Sequence, residues 1–444
     1  MTSENNSPHW AAPERVQPLR HSLTLPGSKS LTNRELVLAA LAEGPSTIAR
    51  PLHSRDTVLM MDALRTLGAT ITEVPGSSEF GPDLHVTPLT PGARIDVSIE
   101  CGLAGTVMRF VPPLAALVEG TVRFDGDIAA RRRPMATTID ALTQLGLEVD
   151  DQGTTTLPFS ITHSGRIAAN EVAIDASASS QFVSGLLLVG ARLPRGLTIT
   201  HTGLGVPSLP HIEMTVQCLL KRGVTVASPR PGVWVVEPGP IGALDVVIEP
   251  DLSNAAPFLA AVLITGGSVS IAGWPGSTTQ VGAEVPHILS SFGATSSLTG
   301  GVLTVNGGTG WRHGGTLPGV DLDLSHAGEL APTFIALSTL SSGPSVFRGI
   351  GHLRGHETDR LRALVENINA IGGDATETPD GMIVNPAPLE SGLWRAFADH
   401  RIATSGALLG LAVRGILVDD IASTSKTLPE FPELWSALVE SSSL

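Results

Sequence analysis

The chain has no tyrosine, two cysteines and, among 28 basic side chains, only three lysines: Lys29, Lys221 and Lys426. Two cysteines, with no Cys-x-x-Cys and no His/Cys cluster, exclude a disulfide scaffold and a zinc site. Cys101 and Cys218 read as small buried residues rather than nucleophiles. No apolar run approaches the ~18 residues of a membrane span. The opening residues lack the apolar core of a secretory signal. A cytoplasmic protein without a membrane partner is therefore expected. Cations are scarce as well: 42 acidic residues against 28 basic give a formal charge of −14, a poor match to nucleic acid. The overall sign leaves a local pocket open, because an acidic protein that binds an anion must gather its cations in one place.

Apolar mass and turn residues are abundant. With 444 residues, 42% of them hydrophobic, the chain has material for two or three domains. One local pattern recurs: an apolar helix, a glycine, then a short β-branched strand. It is clear at Gly68, Gly146 and Gly223, and weaker at Gly293 and Gly372, with spacings of 78, 77, 70 and 79 residues. The glycine suits a left-handed helix cap that lets the chain turn into a strand. So long a period predicts a duplicated α/β unit rather than a solenoid, although helix-Gly-strand is also common in α/β proteins generally.

Helix starts show a second regularity. Small, polar or charged residues precede apolar helices at Gly27-Ser28-Lys29-Ser30, Gly102 to Thr106, Ser177 to Gln181, His326 to Glu329, Gly355 to Arg360 and Asp399-His400-Arg401. Capping explains serine, threonine and aspartate there. It does not explain lysine, arginine and histidine in first turns, where the helix dipole disfavours cations. An anionic ligand would.

Each constellation has a bland reading beside the functional one. Gly27-Ser28-Lys29-Ser30 lacks the Gly-Lys step of a nucleotide P-loop. If a helix begins near Ser30, Arg34 lies one turn on, and Lys29, Ser30 and Arg34 surround one phosphate or carboxylate; the alternative is an exposed cap with solvated charges. Arg131-Arg132-Arg133 is either a solvated run or one buried arginine with two solvated neighbours. Ser179-Ser180-Gln181 offers two hydroxyls and an amide at a helix start, or simply a cap. His356 and Arg360 stand at i,i+4 and Glu357 and Arg360 at i,i+3, as a pocket carboxyl among cations or as a surface ladder. Glu329 is a second candidate carboxyl, or a first-turn acid. Lysine, a compact point charge with a movable pKa, is not interchangeable with arginine, so its rarity draws attention to Lys29 and Lys426.

In order along the chain, Pro26-Gly27-Ser28-Lys29-Ser30 with Thr32-Asn33-Arg34, Gly102 to Thr106 with Arg109, Arg133-Pro134 and Ser179 to Phe182 precede Glu357 to Leu361, Asp399-His400-Arg401 and Lys426-Thr427. Together they resemble the EPSP synthases (3-phosphoshikimate 1-carboxyvinyltransferases) of the enolpyruvyl transferase family, from about Leu25 to Phe431. The resemblance implies two similar α/β domains, each of three βαβαββ repeats in an inside-out barrel, with helix N-termini facing an interdomain cleft that holds the active site. The expected domains are 25–248, on the shikimate 3-phosphate side, and 1–24 plus 249–444. The implied reaction moves the enolpyruvyl group of phosphoenolpyruvate to the 5-hydroxyl of shikimate 3-phosphate through a tetrahedral intermediate, without a metal or a cofactor. Lys29, Glu329 and Glu357 are the implied catalytic residues. Shikimate 3-phosphate is expected on Lys29, Ser30, Arg34, Ser179, Ser180, Gln181, Ser208, Glu329 and His356. Phosphoenolpyruvate is expected on Lys29, Gly105, Arg133, Gln181, Arg360, Arg401 and Lys426. A monomer is usual in the family.

Four positions depart from the family pattern: Glu329 replaces an aspartate, Leu103 an asparagine, His356 a lysine and His211 a tyrosine. They bear on substrate binding and pH optimum rather than on reaction class. The alternatives are a sister transferase acting on UDP-N-acetylglucosamine, which carries a reactive cysteine where residues 127–133 have none, and a non-catalytic anion-binding relative.

Overall fold

The computed structural model of the chain describes residues 9–441. It divides into two compact units, each with its own apolar core. One is Pro26–Pro250; the other joins the described residues up to Leu25 to those from Asp251 onward. Parallel pairing closes each unit with a strand remote in the chain. Leu19–Leu23 pairs with Gly267–Ala272, and Val246–Val247 with Ser46–Ala49.

The recurring glycines mark the repeat. Gly68, Gly146, Gly223, Gly293 and Gly372 have φ of 106°, 93°, 79°, 98° and 86°, values that a side chain would strain. They lead into the strands Thr70–Val74, Glu148–Asp150, Val226–Arg230, Thr295–Thr299 and Asp374–Thr378, which form the edges of five four-stranded sheets. The sheet of Arg94–Glu100, Glu119–Asp125, Phe159–His163 and Glu148–Asp150 shows the common pattern. Its first two strands are parallel, and the remaining pairings antiparallel. With a helix after each of the first two strands, the order is βαβαββ. A sixth sheet has three strands: Gly392–Trp394 and Ile416–Val418 are parallel, and Trp10–Ala11 adds antiparallel to the latter. It has no closing hairpin, and hence no sixth glycine signal.

The helix between the parallel strands is buried all round. Every residue of Gly105–Phe110, Ala255–Thr265, Ala331–Ser338 and His400–Gly410 is buried, as is Gln181–Gly190 beyond its first residue. Helices apolar on every side belong in an interior, and burying Phe258, Leu259 or Ile264 contributes about 1.5–3 kcal/mol each. The helices before the glycines, such as Arg55–Thr66 and Leu209–Lys221, bury one face only. Strands such as Phe159–His163 alternate between buried and half-buried residues. Each unit is thus an inside-out α/β fold, with helices at its centre. No helix of the described residues is long and apolar enough to cross a membrane.

A central helix cannot turn to water for its first N–H groups, so polar side chains must meet them. That demand concentrates polar residues at these helix starts.

Candidate active site

In the unit Pro26–Pro250, Ser28 caps helix Lys29–Leu41 by accepting from the Leu31 N–H at 3.5 Å. Lys29 Nζ lies 3.4 Å from Asp56 Oδ2, whose side chain is only 3% exposed and sits in the first turn of helix Arg55–Thr66. The deeper polar residues of the Lys29 helix tie it to its neighbours. Asn33 donates to Thr106 at 2.7 Å, and Glu35 pairs with buried Arg222 at 2.7 Å. Arg34 makes protein contacts that its spacing alone does not announce. It is 1% exposed and donates through Nε to Thr215 at 2.7 Å and through Nη1 to the Ser30 carbonyl at 2.8 Å. Its Nη2 reaches the His211 carbonyl at 2.9 Å and Ser184 at 3.4 Å. Four of its five N–H donors therefore bind protein and fix the backbone beneath Ser30.

Gly105 opens helix Gly105–Phe110 at a crowded point. A Cβ there would stand 3.1 Å from Gln181 Oε1 and 3.2 Å from Nη1 of both Arg109 and Arg133. One amide and two guanidinium groups thus converge on a residue without a side chain. Arg133 Nη1 donates to the Leu103 carbonyl at 3.3 Å. Of its neighbours, Arg131 forms a two-pronged exposed pair with Asp125 at 2.9 and 2.7 Å, and Arg132 is exposed. Ser180 is the buried N-cap of helix Gln181–Gly190, and Ser179 Oγ accepts from the Gln181 N–H at 3.2 Å. Ser208, before helix Leu209–Lys221, is held at φ 53°, a left-handed conformation that costs a non-glycine residue about 1 kcal/mol or more.

The other unit builds a buried ion network. Arg360 donates through Nε to Asp399 Oδ2 at 2.8 Å, and through Nη2 to Asp399 Oδ1 at 3.2 Å and Glu357 Oε2 at 2.9 Å. Lys426 Nζ bonds the other Glu357 oxygen, and His356 Nδ1 lies 3.9 Å from Oε2. Burial works against the Arg360 charge, but Asp399 and then Glu357 outweigh it, so the guanidinium holds its proton more firmly than in water. Asp399 also caps helix His400–Gly410, accepting from the Arg401 N–H at 2.8 Å. Ser253 joins the remaining groups. Its hydroxyl donates to Glu329 Oε1 at 2.5 Å, and its carbonyl accepts from Arg401 Nη1 at 2.7 Å. Asn254 donates to the carbonyl of Thr427, next to Lys426, at 3.1 Å.

Glu357, Asp399 and His400 also bring possible metal-ligand atoms within 4.8 Å of one another. Arg360, however, bridges both carboxylates, and Lys426 neutralises Glu357 further. The set is balanced by protein cations and does not fit a metal ion.

Sequence reasoning treated Glu357 and Arg360 as neighbours on a helix. In fact the helix starts at Arg360, capped by Asp359 through the Arg362 N–H at 3.1 Å, and the Glu357–Arg360 pair is buried in the preceding turn. The surface ladder is overturned. Asp399 stood out as part of a helix start, but not as the counter-ion of Arg360. Asp251, Ser253 and Asn254 were missed altogether, although Asp-Leu-Ser-Asn before the apolar run Ala255–Thr265 repeats the polar-start signal. Cys101 and Cys218 are buried, and burial pushes both thiols up, away from thiolate chemistry.

Beside Gly328 lies His352, whose Nε2 would be 2.6 Å from a Cβ on that glycine. Burial, reinforced by the charge of Arg360, pushes its imidazole down to about 4 against weaker upward pulls from Asp380 and Gly349. The unfolded chain protonates this histidine first, so its stabilising contribution is full above about pH 6.5 and is lost as pH falls toward 4. We expect His352→Gln to remove roughly 2 kcal/mol of the stability lost between about pH 7 and 4.5, read from urea midpoints. Parallel losses in parent and variant would refute this.

Comparison with known proteins gives consistent matches. The profile of the family described as EPSP synthase (3-phosphoshikimate 1-carboxyvinyltransferase) matches residues 13–435. A 3-phosphoshikimate 1-carboxyvinyltransferase of Kocuria rhizophila is 56% identical over 436 residues, 97% of each chain. Among solved structures, an EPSP synthase from Acinetobacter baumannii has a TM-score of 0.76 at 22% identity, covering 97% of this chain and 98% of that one. The enolpyruvyl transferase NikO from Streptomyces tendae has a TM-score of 0.72 at 17% identity, covering 96% of each. At such identities the two structures speak for the fold alone.

Proposed function

The chain belongs to the EPSP synthase (3-phosphoshikimate 1-carboxyvinyltransferase) family, and from that membership we propose how its residues carry out the family reaction. The enzyme transfers the enolpyruvyl group of phosphoenolpyruvate to the 5-hydroxyl of shikimate 3-phosphate, giving 5-enolpyruvylshikimate 3-phosphate and phosphate. The observation that carries this is the 56% identity with a 3-phosphoshikimate 1-carboxyvinyltransferase across 97% of both chains.

Lys29, Ser30 and Arg34 hold shikimate 3-phosphate in this reading, Arg34 also fixing the Ser30 backbone. Ser179, Ser180, Gln181 and Ser208 take its phosphate, and His356 and Glu329 its ring hydroxyls. Phosphoenolpyruvate is held by Lys29, Gly105, Arg133, Gln181, Arg360, Arg401 and Lys426. Glu329 accepts the proton of the 5-hydroxyl as its oxygen bonds to C2 of phosphoenolpyruvate, and Glu357 gives a proton to C3. The tetrahedral intermediate then returns a C3 proton to Glu357 as the C2–phosphate bond breaks. Lys426 and Arg360 orient Glu357 by binding its carboxylate on both oxygens, and the Lys426 ammonium on Oε1 is the source of the proton that Glu357 passes to C3 and takes back. The Ser253 hydroxyl on Glu329 supports its role in the same way. Both substrates are phosphorylated metabolites retained inside cells, which fits a cytoplasmic enzyme, and the reading assigns all functional groups to a single chain as a monomer.

Phosphate release is expected only when both substrates are supplied. Equal release with UDP-N-acetylglucosamine in place of shikimate 3-phosphate, or none with either acceptor, would overturn the proposal.

A further inference from the structure

The unit from Asp251 onward contains a cavity of about 750 Å³, within the ~300–1,000 Å³ typical of small-molecule sites. It lies at the opposite ends of the helices that carry the proposed catalytic groups. Glu329 precedes helix Ala331–Ser338, and Arg401 opens helix His400–Gly410, whereas the cavity is lined by residues 339–341 and 412–414, past the carboxy-terminal ends. Eleven helical residues span about 16 Å, so the cavity is separate from the groups assigned to the reaction.

Its walls mix apolar residues, among them Trp311, Pro386, Pro388 and Leu389, with the polar Thr339, Ser341, Ser391 and Arg414. Two polar groups stand out. Ser341 lines the cavity and is 4% exposed, yet its buried Oγ makes no hydrogen bond, a condition that costs free energy unless a partner arrives. Arg414, by contrast, has an 87% exposed side chain and a 3.6 Å ion pair with Glu14, longer than a hydrogen bond. Arg312 already donates to the Leu411 carbonyl at 2.5 Å and so meets one free end of helix His400–Gly410. An incoming carboxylate would take the place of Glu14 on Arg414, or share the guanidinium with it.

We propose that this cavity binds a small apolar carboxylate: a flat ring against Trp311 and the two prolines, the carboxylate on Arg414, and a polar atom of the ligand on Ser341. Full-length protein labelled with 5-fluorotryptophan tests this with 6-hydroxy-2-naphthoate as probe, the Trp311 fluorine signal being assigned from Trp311→Phe. A saturable shift of that signal is expected, with Kd below about 1 mM. Arg414→Gln should weaken binding about fivefold or more, and the neutral 6-hydroxy-2-naphthamide should show the same loss. Ala387→Trp, which fills the cavity from its wall, should abolish the shift, while both variants keep transferase activity within about twofold of the parent. Absence of a saturable shift in the parent, an undiminished shift in Ala387→Trp, or equal binding of the amide would overturn the assignment. Transferase activity is read separately, so failure here leaves the reaction assignment standing.

Discussion

Asp399→Ala is expected to lower unfolding stability by about 3–5 kcal/mol and to abolish turnover. The Asp399 side chain is fully buried, and Arg360 beside it is 3% exposed. Removing the carboxylate deletes two hydrogen bonds to Arg360 and the cap on the Arg401 N–H, leaving Glu357 as the only carboxylate bonded to a charge that burial penalises. Breaking one partner of a buried pair costs far more than replacing both. Arg360→Met combined with Asp399→Leu should therefore regain much of the stability and none of the activity, because Glu357 then loses one of its two orienting cations. Asp399→Asn, which keeps the cap but not the charge, should fall between. Denaturant midpoints decide the matter: a loss under about 1 kcal/mol for Asp399→Ala would mean that Arg360 is solvated or re-paired.

Lys29→Arg should reduce kcat/KM about a thousandfold, or roughly 4 kcal/mol of transition-state stabilisation, while Lys221→Arg changes it less than about twofold. Lys29 Nζ is held 3.4 Å from the almost inaccessible Asp56 carboxylate, with its own side chain 19% exposed. A longer, planar guanidinium cannot put the same compact charge at that point. Lys221 is exposed at the end of helix Leu209–Lys221, where either cation suits the dipole. Steady-state kinetics of the two variants settle the comparison. Equal effects would remove the case for a lysine-specific role at position 29.

The repeat glycines were legible because a left-handed φ is a local steric demand that almost only glycine meets cheaply. Gly68, Gly146, Gly223, Gly293 and Gly372 therefore announce five units in the sequence. Nothing announces the sixth, whose third strand is Trp10–Ala11, paired with Ile416–Val418 from the far end of the chain. Strand pairing at that range leaves no local trace. Polar helix starts were legible for a similar reason: a buried helix must cap itself with nearby residues.

The sequence by itself determined the helix-Gly-strand rhythm, the polar starts of the central helices and the family motifs, all set by adjacent residues. Only the tertiary structure decided which charges meet. Arg360 and Asp399 are 39 residues apart, Lys426 and Glu357 69, Ser253 and Glu329 76. It also showed that Arg34, read in the sequence as an anion holder, is hydrogen-bonded to Thr215 and the His211 carbonyl on a remote helix. Burial forces a charge or donor to find a partner wherever the fold brings one, and sequence spacing carries no record of that choice.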